Sequence, residues 1–220
     1  MRMYEDTYRH KGLRKKLVDT IRQKGITDER VLDAIGAIPR HYFLDSAFDE
    51  VAYEDRAFPI AAKQTISQPY TVAYQTQLLE VKPFEKILEI GTGSVYQSSV
   101  LAEMGAQVFT IERQKELFDN TKKIGFIKKY GNIKFFYGDG YEGLPTFAPF
   151  DKVLITAAAP VVPPKLIAQL KTGGKMVIPL GESKDGVQKM MRLTKQADGS
   201  TTEEAFANFS FVPMKEGKER

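Results

Sequence analysis

A doubly wound, mostly parallel α/β sheet is the fold class this sequence predicts, and three observations predict it. Downstream of Pro83, short apolar runs alternate with stretches of helical periodicity, the pattern of strands joined by crossover helices. The first run, Lys86-Ile-Leu-Glu-Ile, enters a glycine-containing turn, Gly91-Thr-Gly93-Ser94, and a helical stretch follows at once. The second run ends in Glu112, 21 residues after Gly91, close to the spacing at which such sheets place an acid beside a ligand.

The elements follow in order. Leu13, Leu17, Val18 and Ile21 recur at helical spacing, with Gly25 placed to end that helix. Thr27 or Asp28 can cap a second helix whose apolar stripe is Val31, Leu32, Ile35 and Ile38, and Pro39 marks its stop. About thirty irregular residues separate it from a helix that opens at Pro69 and runs towards Glu80. The sheet region then reads as strand 86–91, helix 96–104, strand 107–112, helix 114–130, strand 132–137 and strand 151–156. A crossover helix over 164–170 and a strand over 174–180 come next. Two strand-like stretches around Met190 and Phe209 flank the turn Asp198-Gly-Ser and are expected to pair antiparallel.

A length of 220 residues, 42% hydrophobic and 27% charged, suits one globular domain. Its parts are an N-terminal helical extension carrying the substrate-site segment (1–82), a ligand-binding sheet core (83–214) and a charged tail (215–220). No apolar run approaches the roughly 18 to 20 residues that cross a bilayer, and the charged opening Met1 to Lys16 has no apolar segment of leader type, so a cytoplasmic location with no membrane association is expected. The absence of Cys excludes disulfides, thiolate nucleophiles and Cys-ligated zinc. His10 and His41, far apart in sequence, offer no metal-ligand spacing, so no metal is expected. Residues 1–24 hold eight Lys and Arg against three Asp and Glu. That excess suits the solvated face of an amphipathic helix better than a nucleic-acid site.

In the Gly91 turn, backbone free of side chains lets a ligand approach a helix N-terminus with unpaired N–H donors. Glu112 is placed to accept from ribose hydroxyls, and Glu89, an acid within a buried strand, also points to the ligand. A dinucleotide fingerprint would need glycine at position 96, where Tyr96 stands, which counts against a nicotinamide cofactor. Gly138-Asp139-Gly140 follows the third strand, and Asp139 could accept from an adenine amino group.

Together these stretches resemble the class I methyltransferases. Gln64-Thr-Ile-Ser-Gln-Pro-Tyr70 is similar to the signature of the protein-L-isoaspartate (D-aspartate) O-methyltransferases, and the similarity runs from about Gly12 to Met214. It includes Ile87-Leu-Glu-Ile-Gly-Thr-Gly-Ser94, Thr156-Ala-Ala-Ala-Pro160 and Phe211-Val-Pro213. The resemblance implies a Rossmann-like methyltransferase fold, S-adenosylmethionine as cofactor and S-adenosylhomocysteine as its product. Damaged proteins and peptides that contain isoaspartate would be the partners, met by a monomer. It implies that Ser67 is the active-site serine, with Thr65 and Gln68 beside it and Val212 and Pro213 against the substrate backbone. Glu89, Gly91, Gly93, Glu112, Asp139 and Gly140 would line the cofactor site. One departure stands out: Val95 occupies a position where the family has glycine, and if that position needs a positive φ or close contact with the cofactor, valine is expected to strain the turn or crowd the site.

A carboxylate acceptor, with a reference pKa of about 4, is already ionised at neutral pH and needs no general base. Ser67 then orients the carboxylate, or it caps the helix that begins near Pro69. Two other functions stay open on sequence alone. One is a methyltransferase for a small molecule; the other is a non-catalytic module whose cofactor site Val95 has impaired.

Overall fold

The computed structural model describes residues 5–181 and 186–219. Helix α1 (Tyr8–Gln23) starts at Thr7, whose hydroxyl accepts the His10 N–H at 3.3 Å. Helix α2 (Glu29–Ala37) starts at Asp28, which accepts the Arg30 N–H at 3.0 Å. Such caps satisfy N–H groups that have no partner within the helix. Leu17 and Ile21 of α1 share one core with Val31, Leu32 and Ile35 of α2.

Residues 40–68, irregular by pattern, form three short 3₁₀ turns and a hairpin of β1 (Phe58–Pro59) and β2 (Thr65–Ile66). Helix α3 (Pro69–Leu79) follows with proline in its first turn. The sheet region consists of β3 (Lys86–Ile90), α4 (Tyr96–Glu103), β4 (Gln107–Glu112), α5 (Lys115–Thr121), β5 (Ile133–Tyr137) and β6 (Phe150–Ile155). It continues with α6 (Pro164–Ala168), β7 (Leu170–Leu180), β8 (Gln188–Lys195) and β9 (Thr201–Phe209). The strand order is β5-β4-β3-β6-β7-β8-β9, parallel as far as β7 and antiparallel from β7 to β9. The connections reverse direction between β3 and β6, and a ligand belongs beyond the carboxyl ends of those two strands.

Two elements differ from the sequence expectation. The single helix expected over 114–130 is α5 alone, followed by a 3₁₀ turn, Gly125–Lys129. Ile124 turns extended ahead of Gly125, and Phe126 packs on Tyr42 and Phe43 with ring centroids 5.6 and 5.9 Å apart. Burial of these rings against the N-terminal layer outweighs helical continuity. The crossover helix α6 stops at Ala168, because Leu170 already pairs with Phe150 in the sheet and a bulge near Gly173 and Gly174 absorbs the extra residues.

Helices α1 to α4 cover one face of the sheet, where Ile87 belongs to their core, while Leu88 and Ile90 face a second core on the other side. The charged tail is bound rather than loose. The Glu219 N–H donates to the Arg113 carbonyl at 2.8 Å, and Arg113 pairs with the Glu219 carboxylate at 2.7 Å.

Val95, just before α4, has φ 71° and is fully buried in the core shared with the N-terminal helices. A β-branched residue in this left-handed region is strained by roughly 1 to 3 kcal/mol. Burial of its side chain contributes a similar amount, and glycine adds freedom to the unfolded chain. Val95→Gly should therefore lower the thermal midpoint modestly, by a net of about 1 kcal/mol or a few degrees. Val95→Ala, which removes methyl groups without freeing the backbone, should fall further. A higher midpoint for the glycine variant would show that strain outweighs burial.

Candidate active site

A cleft of about 450 Å³ opens where β3 and β6 end, within the size range of small-molecule sites. The Gly91-Thr-Gly93-Ser94 turn forms its floor, and Thr156, the residue after β6, forms the adjoining wall. Thr156 Oγ1 donates within reach of two carbonyls, Ile90 at 2.8 Å and Gly91 at 2.9 Å. Gly91 has φ 95°, and a Cβ there would lie 2.5 Å from Thr156 Oγ1, so only glycine fits.

Glu112, at the end of β4, lines the same cleft. One of its oxygens accepts the Gly93 N–H at 2.9 Å and the other the Gln114 N–H at 2.8 Å. Each oxygen keeps a lone pair, so the carboxylate can still accept from ligand hydroxyls. Gly140 lines the cleft beside Met214, and a Cβ on it would come 2.5 Å from Ile90.

A second, more open groove adjoins the cleft, and Thr65, Ser67, Thr156 and Val212 line both. Gln68 lines the groove alone and Pro213 the cleft alone. Val212 and Met214 are held at β-sheet geometry: the Ala158 N–H donates to the Val212 carbonyl at 2.8 Å, and the Met214 N–H to the Ala158 carbonyl at 2.7 Å. Ser67 does not cap α3. The cap position belongs to Gln68, and Asp55 takes the Tyr70 N–H at 2.8 Å.

Two expected lining residues lie elsewhere. Glu89 is fully buried beneath the turn and receives a hydrogen bond from Ser98, instead of reaching the cleft. Its carboxyl pKa is pushed up to about 7, first by burial and also by neighbouring Glu112, against the opposing hydrogen bonds of Ser98 and Thr110. The Asp139 carboxylate is turned away from the cleft and accepts the N–H groups of Tyr141 at 2.9 Å and Gly217 at 2.7 Å. Val95 is also absent from the cleft wall, so its side chain crowds the protein core and not the cofactor.

Sequence reasoning missed Thr156 as a wall residue, although its position after the strand beside the switch point was a readable signal. The two histidines, distant in sequence, stack with ring centroids 3.9 Å apart. Donor atoms of Asp6, His10 and His41 fall within 4.8 Å of one another. Arg14 already binds both Asp6 oxygens at 3.0 Å and supplies the positive charge there.

The family model for protein-L-isoaspartate(D-aspartate) O-methyltransferase matches residues 12–219. A protein-L-isoaspartate O-methyltransferase of Cytophaga hutchinsonii is 57% identical over 211 residues, covering 96% of this chain and 94% of the relative. One of Christiangramia forsetii is 53% identical over 218 residues, covering 97% and 99%. Among solved structures, a protein-L-isoaspartate O-methyltransferase superposes with TM-score 0.82 at 25% identity over 91% of this chain, which spans 65% of that longer chain. A Plasmodium falciparum chain described as a beta-aspartate methyltransferase, in complex with S-adenosyl-L-homocysteine, superposes with TM-score 0.78 at 25% identity and covers 92% and 98%.

Two outcomes follow from this geometry. Below the ordinary carboxyl pKa of 4.5, Glu89 is neutral in both folded and unfolded chains. As pH rises towards about 7 the unfolded chain ionises first, so the wild type loses up to about 3 kcal/mol of stability by pH 8. Glu89→Gln should show a larger gain in thermal midpoint over wild type at pH 8 than at pH 5, and a pH-independent difference would refute the assignment. Glu112→Ala should weaken S-adenosylhomocysteine binding by roughly 1 to 3 kcal/mol in calorimetry, whereas Val95→Gly should leave it within about twofold, since position 95 lines no part of the cleft.

Proposed function

The chain belongs to the protein-L-isoaspartate(D-aspartate) O-methyltransferase family, transferring methyl groups from S-adenosylmethionine to isoaspartyl carboxylates in damaged proteins, and from that membership we propose that Ser67 holds the acceptor carboxylate where groove meets cleft. The observation that carries this reading is the shared wall. Ser67 and Thr65 border both spaces, so a peptide in the groove and a cofactor in the cleft meet at them.

The cleft suits the cofactor by its donor set. Gly91 and Gly93 leave a cradle that a Cβ at position 91 would fill, and Glu112 offers free lone pairs. Gly140 contributes by leaving room beside Ile90, and Asp139 by bracing the turn that carries Gly140. When bound, S-adenosylmethionine supplies a methyl group on a positively charged sulfonium. Every protein step concerns binding and orientation. The acceptor is ionised before it arrives, so Ser67 donates a hydrogen bond without losing its proton. Thr65, Gln68 and Val212 line the groove, with Pro213 carrying the same chain on into the cleft, and this extended backbone favours recognition of the peptide main chain. Loose selectivity for neighbouring side chains follows. Among the described residues no helix is long and apolar enough to cross a membrane. A monomer working in the cytoplasm, with no specific nucleic-acid partner, completes the proposal.

An isoaspartyl peptide should be methylated and its normal aspartyl counterpart hardly at all; equal rates on both would defeat the repair reading. Ser67→Ala should lower kcat/KM for the isoaspartyl peptide by about 10- to 100-fold, the value of one charge-assisted hydrogen bond. S-adenosylhomocysteine affinity should be unaltered. An unchanged kcat/KM would remove Ser67 from the reaction.

A further inference from the structure

Arg40 is a guanidinium with no exposed surface. A buried cation is costly unless its surroundings use it. Among the described residues no carboxylate pairs with it directly. Its Nε donates to the Ala52 carbonyl at 3.1 Å, its Nη2 to the Ser67 carbonyl at 2.8 Å and to the Arg56 carbonyl at 3.5 Å. Its Cζ lies 4.8 Å from the ring centre of Tyr96, a residue that lines the cofactor cleft. Burial lowers its pKa only to about 10, so it stays cationic at neutral pH.

The same turn is held a second time, by Asp55, whose side chain is 8% exposed. Asp55 accepts the Tyr70 N–H at 2.8 Å and the Gln68 side-chain amide at 3.1 Å, and the Asp55 carbonyl accepts that amide too, at 3.0 Å. Ser67 therefore lies in a turn held twice, by Arg40 at its own carbonyl and by Asp55 at Gln68 and Tyr70. A fixed backbone limits the directions its hydroxyl can take, and a misplacement of about 1 Å can cost on the order of a hundredfold in rate.

We propose that Arg40 is a positioning residue for Ser67: its guanidinium, braced on Tyr96, fixes the serine backbone relative to the cofactor cleft, while Asp55 holds the residues that follow. The inference rests on the reading of Ser67 as the carboxylate-binding group. Charge alone does not do the work, because the fork of donors reaches three carbonyls at once, which an ammonium cannot reproduce.

The test is a double-mutant cycle on the full chain with Arg40→Lys, Ser67→Ala and both together. Its readouts are kcat/KM for an isoaspartyl peptide, the dissociation constants of that peptide and of S-adenosylhomocysteine, and the thermal midpoint. Arg40→Lys should lower kcat/KM about tenfold or more while S-adenosylhomocysteine affinity stays within about twofold. In the Ser67→Ala background the same change should cost less than about twofold, because no hydroxyl remains to be misplaced. Equal losses in both backgrounds, no loss in either, or a parallel loss of S-adenosylhomocysteine affinity would each overturn the positioning role. Ser67→Ala without effect would instead overturn the underlying reading of the serine. Should Arg40→Lys fail to fold, Arg40→Gln, which keeps an amide donor but loses the fork, replaces it under the same criteria.

Discussion

The site depends on one close approach: the Thr156 hydroxyl occupies the space a side chain at position 91 would need, and binds the carbonyls of Ile90 and Gly91. This contact joins the carboxyl ends of β3 and β6, the two strands between which the sheet reverses its winding. With that seam closed, the Gly91 turn must bend away from β6 towards Glu112, whose carboxylate receives the Gly93 N–H. The cleft is thus defined by backbone and short side chains, which is why it can approach a ligand closely from below.

Charge is placed around this seam with unequal costs. Glu89 and Arg40 are both fully buried, yet neither neutralises the other, and each is held by hydroxyls, carbonyls or an aromatic face. Glu89 relieves its burial by favouring the protonated form. Arg40 has no such route at neutral pH and relies on carbonyl acceptors instead. Both lie beneath loops that touch the cleft, so the core is least comfortable directly under the chemistry, where packing alone would have chosen apolar residues.

Much of this was readable from the chain. Alternating apolar runs and helical stripes located the strands and the parallel character of the core, because burial enforces those periodicities. What escaped had non-local causes. The end of α5 at Thr121 follows from Phe126 packing on Tyr42 and Phe43, residues about eighty positions away. Glu89 read as a ligand contact because an acid in a strand demands a partner; the partner is Ser98, nine residues on, and the spacing could not tell the two apart. Asp139 is claimed by the tail, through Gly217, a pairing that no local pattern announces. At Val95 the left-handed backbone expected to strain the chain is present, but the side chain packs in the core and not against the cleft.

The division between cleft and groove also accounts for what the enzyme must recognise. An isoaspartyl residue differs from its neighbours in the path of its main chain, not in a distinctive side chain. A deep apolar pocket would read the wrong feature. The groove is instead lined by the chain from Asn208 to Val212, whose end is tied to Ala158, and by Thr65 of β2 and Ser67 after it. Both are main-chain surfaces, rigid because each is hydrogen-bonded on its far side. Selectivity can then come from whether the displaced carboxylate reaches Ser67 when the peptide backbone follows those walls, and a normal aspartyl side chain, which leaves an unshifted backbone, starts from a different place.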